Sequence, residues 1–242
     1  PVFHGDIRIK QVTFSYPEQP RPALENVNIT INSGEKVAII GRIGSGKSTL
    51  AKLLIRLYEP TSGSVLMDGF DINQLDPADL RHNVAYVAQD AKLYFGTLRD
   101  NITFGLNGIT DQQVVDAAEQ AGILELVNSH PLGFEMPVGE RGETLSGGQR
   151  SAIAMARVFL RKPRVLVMDE PTSAMDQGTE ERLTQQIKTR FSNSTLLIIT
   201  HKMSMLTLVD RLIVGDRGVI ISDGPKSEVL AALKEGKIRG KG

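Results

Sequence analysis

One nonapeptide constrains this chain more than any other stretch: Gly41-Arg42-Ile43-Gly44-Ser45-Gly46-Lys47-Ser48-Thr49, which fits the phosphate-binding pattern G-x-x-x-x-G-K-[ST]. The three glycines let backbone N–H groups turn inward as a concave anion nest. Lys47 can then set a positive charge on the β and γ phosphates of a nucleoside triphosphate, and Ser48 can offer its hydroxyl to Mg²⁺. Such a loop works between a strand and a helix, and both flanks are present. Lys36-Val37-Ala38-Ile39-Ile40 is an apolar run of buried-strand type, while Leu50, Leu53, Leu54 and Leu57 recur at the i, i+3, i+4, i+7 spacing of an amphipathic helix, which Pro60 is predicted to end. That order aims the helix's N-terminal partial charge at the phosphates. The competing reading is a Gly/Ser-rich surface turn with a stray lysine.

Composition narrows the possibilities further. The 242 residues suffice for one large domain, or a core with an inserted lobe. With 28 basic and 28 acidic residues the formal net charge is zero, which argues against bulk electrostatic binding to nucleic acid or an anionic membrane. No cysteine is present, so disulfides and thiolate metal sites are excluded. No apolar run approaches the roughly 18 residues of a transmembrane helix, and Pro1-Val2-Phe3-His4 does not open a signal peptide. A start without Met suggests an excised fragment.

Along the chain, Ile7 and Ile9, then Val27, Ile29 and Ile31, alternate as half-buried antiparallel strands around a Pro-rich loop, Pro17–Pro22. Tyr16 stands at the mouth of that loop, either packed in the core or stacking on a base. Gly63–Gly69 reads as a strand and turn, Asp76 as the N-cap of a short helix with Pro77 at its first position. Val84–Ala88 is a buried-type strand, and Gln89 at its end either meets a metal-bound water or is a solvated loop residue. From about Ala91 to Leu160 helical patterns take over: Thr97–Ile102, Asp111–Ala121 with Val114, Val115 and Ala118 on one face, and Ile123–Asn128.

The last of these helices starts at Leu145-Ser146-Gly147-Gly148-Gln149, with Ser146 as N-cap. Two glycines in a first turn cost about 1 kcal/mol each against Ala, and a bare helix start that admits an anion is one reason to bear that cost. Arg164–Met168 is a buried strand that ends in Asp169 and Glu170. Asp169 can hold Mg²⁺ through water, and Glu170 can face the γ-phosphate and polarise an attacking water. A charged helix, Thr179–Phe191, follows Ser173–Asp176. The strand Ser194–Thr200 ends on His201, which is either a site group or a strand-end histidine bonded to backbone. Arg211–Val214 and Val219–Ser222, joined across Gly215–Gly218, read as a hairpin, and Ser227 as the cap of a short helix with Val229, Leu230 and Leu233. Lys234–Gly242 is expected to fray.

As an ordered set these motifs resemble the nucleotide-binding domain of ATP-binding cassette (ABC) transporters over nearly the whole chain. Gly41–Thr49 looks like the Walker A motif, Gln89 the Q-loop, Leu145–Gln149 the LSGGQ signature, and Val165–Asp169 Walker B with Glu170 as catalytic base. Ser173–Asp176 looks like the D-loop and His201 the H-loop switch. The signature about 20 residues before a Walker B strand is highly specific. The resemblance implies an α/β fold: a RecA-like P-loop core with an N-terminal antiparallel β lobe (about 1–90 and 161–242) and an inserted helical subdomain (about 91–160). It also implies ATP and Mg²⁺ as ligands, with Ser48, Gln89 and Asp169 toward the metal. Lys47, Gln89, Glu170 and His201 are the expected catalytic residues. Tyr16, Gly41, Gly44, Ser45, Gly46, Lys47, Ser48, Thr49, Ser146, Gly147, Gly148 and Gln149 are expected to hold nucleotide, Tyr16 by stacking on adenine.

Glu140-Arg141-Gly142 resembles the X-loop of exporters, and Leu93–Ile102 the exporter stretch after the Q-loop. Gln74–Arg81 and Gly41–Gly44 look most like type I secretion ATPases that export RTX toxins and adhesins. Met175, Ser151, Ala88 and Lys202 depart from the usual residues at their positions without removing a catalytic group. The implied function is ATP hydrolysis that powers type I protein secretion through head-to-tail pairing with a second nucleotide-binding domain. The implied setting is the cytoplasmic face of the inner membrane, with a transmembrane domain of the same full-length chain, a periplasmic adaptor and an outer-membrane channel. The alternative is a lipid, drug or peptide exporter. A soluble ABC ATPase acting on nucleic acid or ribosomes usually carries two cassettes or a coiled-coil insertion, and neither is seen. A simple P-loop kinase or GTPase leaves the signature unexplained.

Overall fold

Two kinds of apolar pattern in this chain build two kinds of sheet. The computed structural model describes residues 3–238, so Pro1 and Val2, and residues 239–242 of the segment expected to fray, lie outside the described residues. In chain order the elements begin with β1 (Ile7–Phe14), β2 (Leu24–Ile31), β3 (Lys36–Gly41), α1 (Lys47–Leu54), β4 (Ser62–Met67) and β5 (Phe70–Asp71). They continue with α2 (Pro77–Asn83), β6 (Val84–Val87), α3 (Leu98–Thr103), α4 (Asp111–Gln120), α5 (Leu124–Ser129) and α6 (Gly147–Arg161). The last third holds β7 (Val165–Asp169), α7 (Gln177–Arg190), β8 (Thr195–Ile199), β9 (Arg211–Asp216), β10 (Val219–Pro225) and α8 (Lys226–Lys234). Two compact units result. The first contains residues 3–86, 164–169 and 193–238, and the second contains 87–163 and 170–192.

In the first unit the alternating strands make an antiparallel sheet of order β2-β1-β4-β5. Ile7 faces Ile31 on one side and Met67 on the other, and Ile9 likewise faces Ile29 and Val65, so whole rows of every second side chain go into the core. The register shifts after Ile9, where Gln11 takes a left-handed φ of 49°; this bulge keeps Val12 and Phe14 buried. The second sheet has order β10-β9-β3-β8-β7-β6, with β3 parallel to β8 and β9, and β7 parallel to β8. Its strands are apolar runs rather than alternations because both faces are covered: every residue of β7 and β8 is buried. Arg211 ties this sheet to β2. It donates to Asp223 Oδ1 and Oδ2 at 2.6 and 2.7 Å, to Glu35 Oε1 at 2.9 Å and to the Thr30 carbonyl at 2.7 Å. The Asp223 hydrogen bonds, with Glu35, hold the guanidinium above its ordinary pKa.

Three local expectations need correction in this unit. Helix α1 stops at Leu54, short of Pro60, because Arg56 adopts φ 54° and the chain closes a Schellman turn: Arg56 N–H donates to the Leu53 carbonyl and Leu57 N–H to the Lys52 carbonyl. Leu57 is therefore exposed rather than on a helix face. The closing hairpin turns on two residues, Arg217 and Gly218, at φ 46° and 83°, not on four; positive φ at both positions matches the twist of the strands, and pairing extends to Asp216 and Val219. Helix α8 begins after Pro225 without a side-chain cap, so Ser227 lies inside its first turn.

The second unit is helical. Val114, Ala117 and Ala118 of α4 pack against α6, whose buried face includes Ile153, Ala156 and Phe159; Val115 is only half-buried. Three helices start with a capping box, Thr97 with Asp100, Thr110 with Gln113 and Ser146 with Gln149, each satisfying two otherwise unpaired N–H groups. Helix α7 belongs here through buried Leu183 and Ile187 and the stacked Phe159 and Phe191 rings, 5.6 Å apart.

Candidate functional site

The phosphate loop lies at the carboxyl end of β3. Gly46 forms the N-cap of α1 in a left-handed conformation, φ 91°, and an added Cβ would meet the Ala23 carbonyl oxygen at 2.5 Å, so glycine is required on both counts. No side chain caps this helix start, which leaves its first N–H groups for an anion. Lys47 is nearly buried and folds back over the loop. Its Nζ donates to the carbonyls of Gly41 and Arg42, each at 2.9 Å, and to Ser45 Oγ at 3.2 Å. The ammonium is thereby fixed above the nest instead of sweeping through solvent. Ser48 is half-buried on the first turn.

Three parallel strands end side by side in this unit. Ile39 of β3, Ile199 of β8 and Asp169 of β7 share one row of the register, so the loop after Gly41, the residues after Ile199 and the Asp169 carboxylate converge on one edge of the sheet. Two strand spacings, about 10 Å, separate β3 from β7. Asp169 is 3 % exposed, and its Oδ1 has no hydrogen-bond partner, while Tyr86 OH donates to Oδ2 at 3.4 Å. An orphaned buried carboxylate oxygen beside a phosphate loop fits a Mg²⁺ ligand, direct or through water. No group of three or more His, Asp or Glu side chains able to hold a metal occurs among the described residues, so the remaining ligands would be phosphate and water oxygens, as Mg²⁺ prefers. Tyr86 was not anticipated; it reads in the sequence as one more residue of a buried strand. Burial, and then Asp169, push its phenol pKa upward, which keeps it a hydrogen-bond donor. His201 is exposed two residues beyond β8 and lines the same cavity as Gly41, Arg42 and Ile43.

Tyr16 is half-buried, with its ring in edge contacts to Phe14 (4.9 Å) and Tyr58 (5.4 Å), and its hydroxyl lies 3.0 Å from Thr49 Oγ1. Thr49 is thus engaged with the tyrosine and buried. The contact fixes the ring against the first turn of α1.

The other expected residues belong to the second unit. Gln89 is exposed in the segment after β6. Glu170 is half-buried with a left-handed φ of 47°, a strained state for a non-glycine residue and a frequent mark of functional positions. Its carbonyl accepts from Ser173 N–H, and that of Thr172 from Met175 N–H; these turns bring Ala174 onto the start of α6. An added Cβ at Gly147 would lie 2.9 Å from Ala174 Cβ, and one at Gly148 only 2.8 Å from the Ala174 carbonyl oxygen. The two glycines therefore have a packing reason within the chain, which the sequence alone does not reveal. Ser146 is exposed and accepts from Gln149 N–H at 3.1 Å. Arg141 is exposed at φ 53° in the short turn Glu140–Gly142. A further anchor was missed. Arg157 of α6 is half-buried, donates to Asn101 Oδ1 at 2.8 Å, and lies over the Tyr94 and Phe104 rings at 5.4 and 5.9 Å, holding the segment that follows Gln89 onto α6.

Residues 24–173 match the family model described as ABC transporter. Among curated proteins, the ATP-dependent lipid A-core flippase of Vibrio cholerae is 39 % identical over 229 residues, 94 % of this chain and 39 % of the flippase. A Staphylococcus aureus protein assigned as a multidrug export ATP-binding/permease protein is 38 % identical over 227 residues, again 94 % of this chain and 39 % of that protein. Among solved structures, a bacterial Atm1-family ABC exporter with ATP bound superposes with a TM-score of 0.90 at 32 % identity, covering 98 % of this chain and 43 % of that one. The chain thus spans about two fifths of the length of these relatives.

Proposed function

The chain belongs to the ABC transporter family and has its ATPase fold, and from that premise we propose that it is the ATP-hydrolysing domain of an exporter. The observation that carries this reading is the convergence, at one sheet edge, of a Lys47-bearing phosphate loop with a buried Asp169 carboxylate that has an orphaned oxygen. Lys47 and the uncapped start of α1 bind the β and γ phosphates of ATP, Ser48 and Asp169 hold Mg²⁺, and Tyr16 sets the plane of the adenine. Mg²⁺ held there would supply positive charge to offset the negative charge of the phosphates. Glu170 accepts the proton of the attacking water, while His201 and Gln89 stand beside the γ-phosphate and the metal. The signature turn Ser146–Gln149 acts on the nucleotide of a second copy, so the active form is a head-to-tail dimer that closes on ATP.

The named relatives favour lipid or drug export over protein secretion, since one is a lipid A-core flippase and the other is assigned to multidrug export. The periplasmic adaptor and outer-membrane channel belonged to the secretion reading and leave the proposal with it. Among the described residues no helix is long and apolar enough to cross a membrane. In this reading the rest of the full-length exporter supplies a transmembrane domain, which the exposed Arg141 and the segment after Gln89 contact. Glu170→Gln tests the whole scheme: ATP binding should persist, hydrolysis should slow by about 10²-fold or more, and an ATP-trapped dimer should appear in size-exclusion chromatography. Turnover near wild type with monomer only would refute it.

A further inference from the structure

The two oxygens of the Asp169 carboxylate are not equivalent. Oδ1 is buried and has no hydrogen-bond partner, whereas Oδ2 accepts from Tyr86 OH at 3.4 Å. No cation pairs with this carboxylate among the described residues. Both partners of the contact are held from behind. β6, which carries Tyr86, lies beside β7, which ends on Asp169. Val84 and Ala85 are buried, every residue of β7 is buried, and the half-buried Tyr86 ring packs against the core of the first unit. The hydroxyl thus reaches the carboxylate from a neighbouring strand rather than from a loop. Its 3.4 Å is long beside the roughly 2.7–2.8 Å usual between oxygens, so the contact fixes an orientation more than it quenches the charge.

An oxygen that already accepts an O–H is a poor second ligand, so a carboxylate held this way offers a divalent cation one oxygen, directly or through water. That restriction does not weigh equally on all cations. Ca²⁺ takes about six to eight oxygens in flexible geometry and accepts both oxygens of one carboxylate, whereas Mg²⁺ demands a near-ideal octahedron, keeps several waters and takes one oxygen from each of one or two carboxylates. We propose that Tyr86 is a positioning residue that sets the metal preference of the site: by engaging Oδ2 it reserves Oδ1 for Mg²⁺ and denies the two-oxygen grip open to Ca²⁺. The proposal rests on Asp169 as the metal carboxylate. A tyrosine that only gave a buried oxygen a partner would support the fold and leave the choice of cation unchanged.

The test titrates the 242-residue chain with a fluorescent, non-hydrolysable ATP analogue (mant-AMPPNP) as its Mg²⁺ complex, as its Ca²⁺ complex and in EDTA, so that metal preference is read without turnover. Tyr86→Phe keeps the ring and removes the donor. The ratio of affinities, Mg²⁺ complex over Ca²⁺ complex, should fall by about tenfold, the lower end of the loss when the partner of a metal ligand is removed, while affinity in EDTA follows wild type. Tyr86→Leu, which also lacks the donor, serves should Tyr86→Phe fold poorly, and melting curves show which variants are folded. An unchanged ratio in a folded Tyr86→Phe or Tyr86→Leu, including an equal weakening of both complexes, would overturn the proposal. Asp169→Asn separates this outcome from failure of the site itself: it should bind both complexes no better than it binds the analogue in EDTA. If it binds them as wild type does, Asp169 is not the metal carboxylate and the proposal falls with that reading; if it loses them while the ratio in Tyr86→Phe holds, the proposal alone falls.

Discussion

Replacing Gly148 by Ala sets two effects against each other, and the structure decides between them. Gly148 is the second residue of α6, and in a helix Ala is preferred over Gly by about 1 kcal/mol, so a free helix would gain stability. Here the new Cβ would stand 2.8 Å from the Ala174 carbonyl oxygen, 3.5 Å from its carbon and 3.6 Å from Met175 Cα. These are backbone atoms held by the turns after Glu170, so either that segment or the start of α6 must move by roughly half an ångström; overpacking of this kind costs about 1–3 kcal/mol. The net effect is a loss of about 1 kcal/mol, which for a domain this size lowers the melting temperature by about 2–4 °C. Gly178 is a matched control. It is the second residue of α7, and its Cβ would meet nothing nearer than Asp176 Oδ1 at 3.4 Å, so Gly178→Ala should keep the helix gain and raise the melting temperature. Calorimetry and urea titration of both variants, with their ATPase rates, make the comparison. The shift of the Ser146–Gln149 turn should also reduce turnover in Gly148→Ala. Equal stabilisation by the two substitutions would refute the packing account of the signature glycines.

Other outcomes follow from the same geometry. Lys47→Ala removes the cation fixed over the nest by three hydrogen bonds; MgATP affinity should fall by at least about 2 kcal/mol, the worth of a charge-assisted contact, and a calorimetric titration with unchanged affinity would exclude the phosphate-loop role. Tyr16→Ala should weaken ATP binding by about 1 kcal/mol with little change in maximal rate; because the ring also braces Thr49, Tyr16→Phe should bind nucleotide nearly as wild type if stacking is what matters, and lose affinity if the hydroxyl contact is. Asp100 has its carboxyl held below the usual range by its hydrogen bonds with Thr97, backbone first. A lowered folded-state pKa contributes stability that is present above the unfolded value near 4 and is lost as pH falls through the folded one. The stability advantage of wild type over Asp100→Asn in urea titrations should therefore shrink on acidification from neutral pH toward about pH 3; a gap that is constant over that window would remove the cap from the account.

The sequence by itself determined whatever depends on local pattern. The phosphate loop between a buried strand and a helix, the alternating β1 and β2, the continuous apolar β7 and β8, and the caps at Asp76 and Ser146 all follow from periodicity, backbone chemistry and short-range hydrogen bonds. Its local errors have local causes too: Arg56 in a left-handed Schellman position and the two-residue turn at Arg217 use conformations that those residue types do not announce. What only tertiary structure decided is which distant groups meet. The row through Ile39, Ile199 and Asp169 joins segments about 130 and 160 residues beyond the phosphate-loop strand in the chain, and register has no signature in any one strand. Tyr86 against Asp169, Tyr16 against Thr49 and Arg157 over Tyr94 are likewise products of packing. The glycines of Leu145–Gln149 combine both levels. Their cost is visible in the sequence, whereas the carbonyl of Ala174 that excludes a Cβ is brought there by the fold.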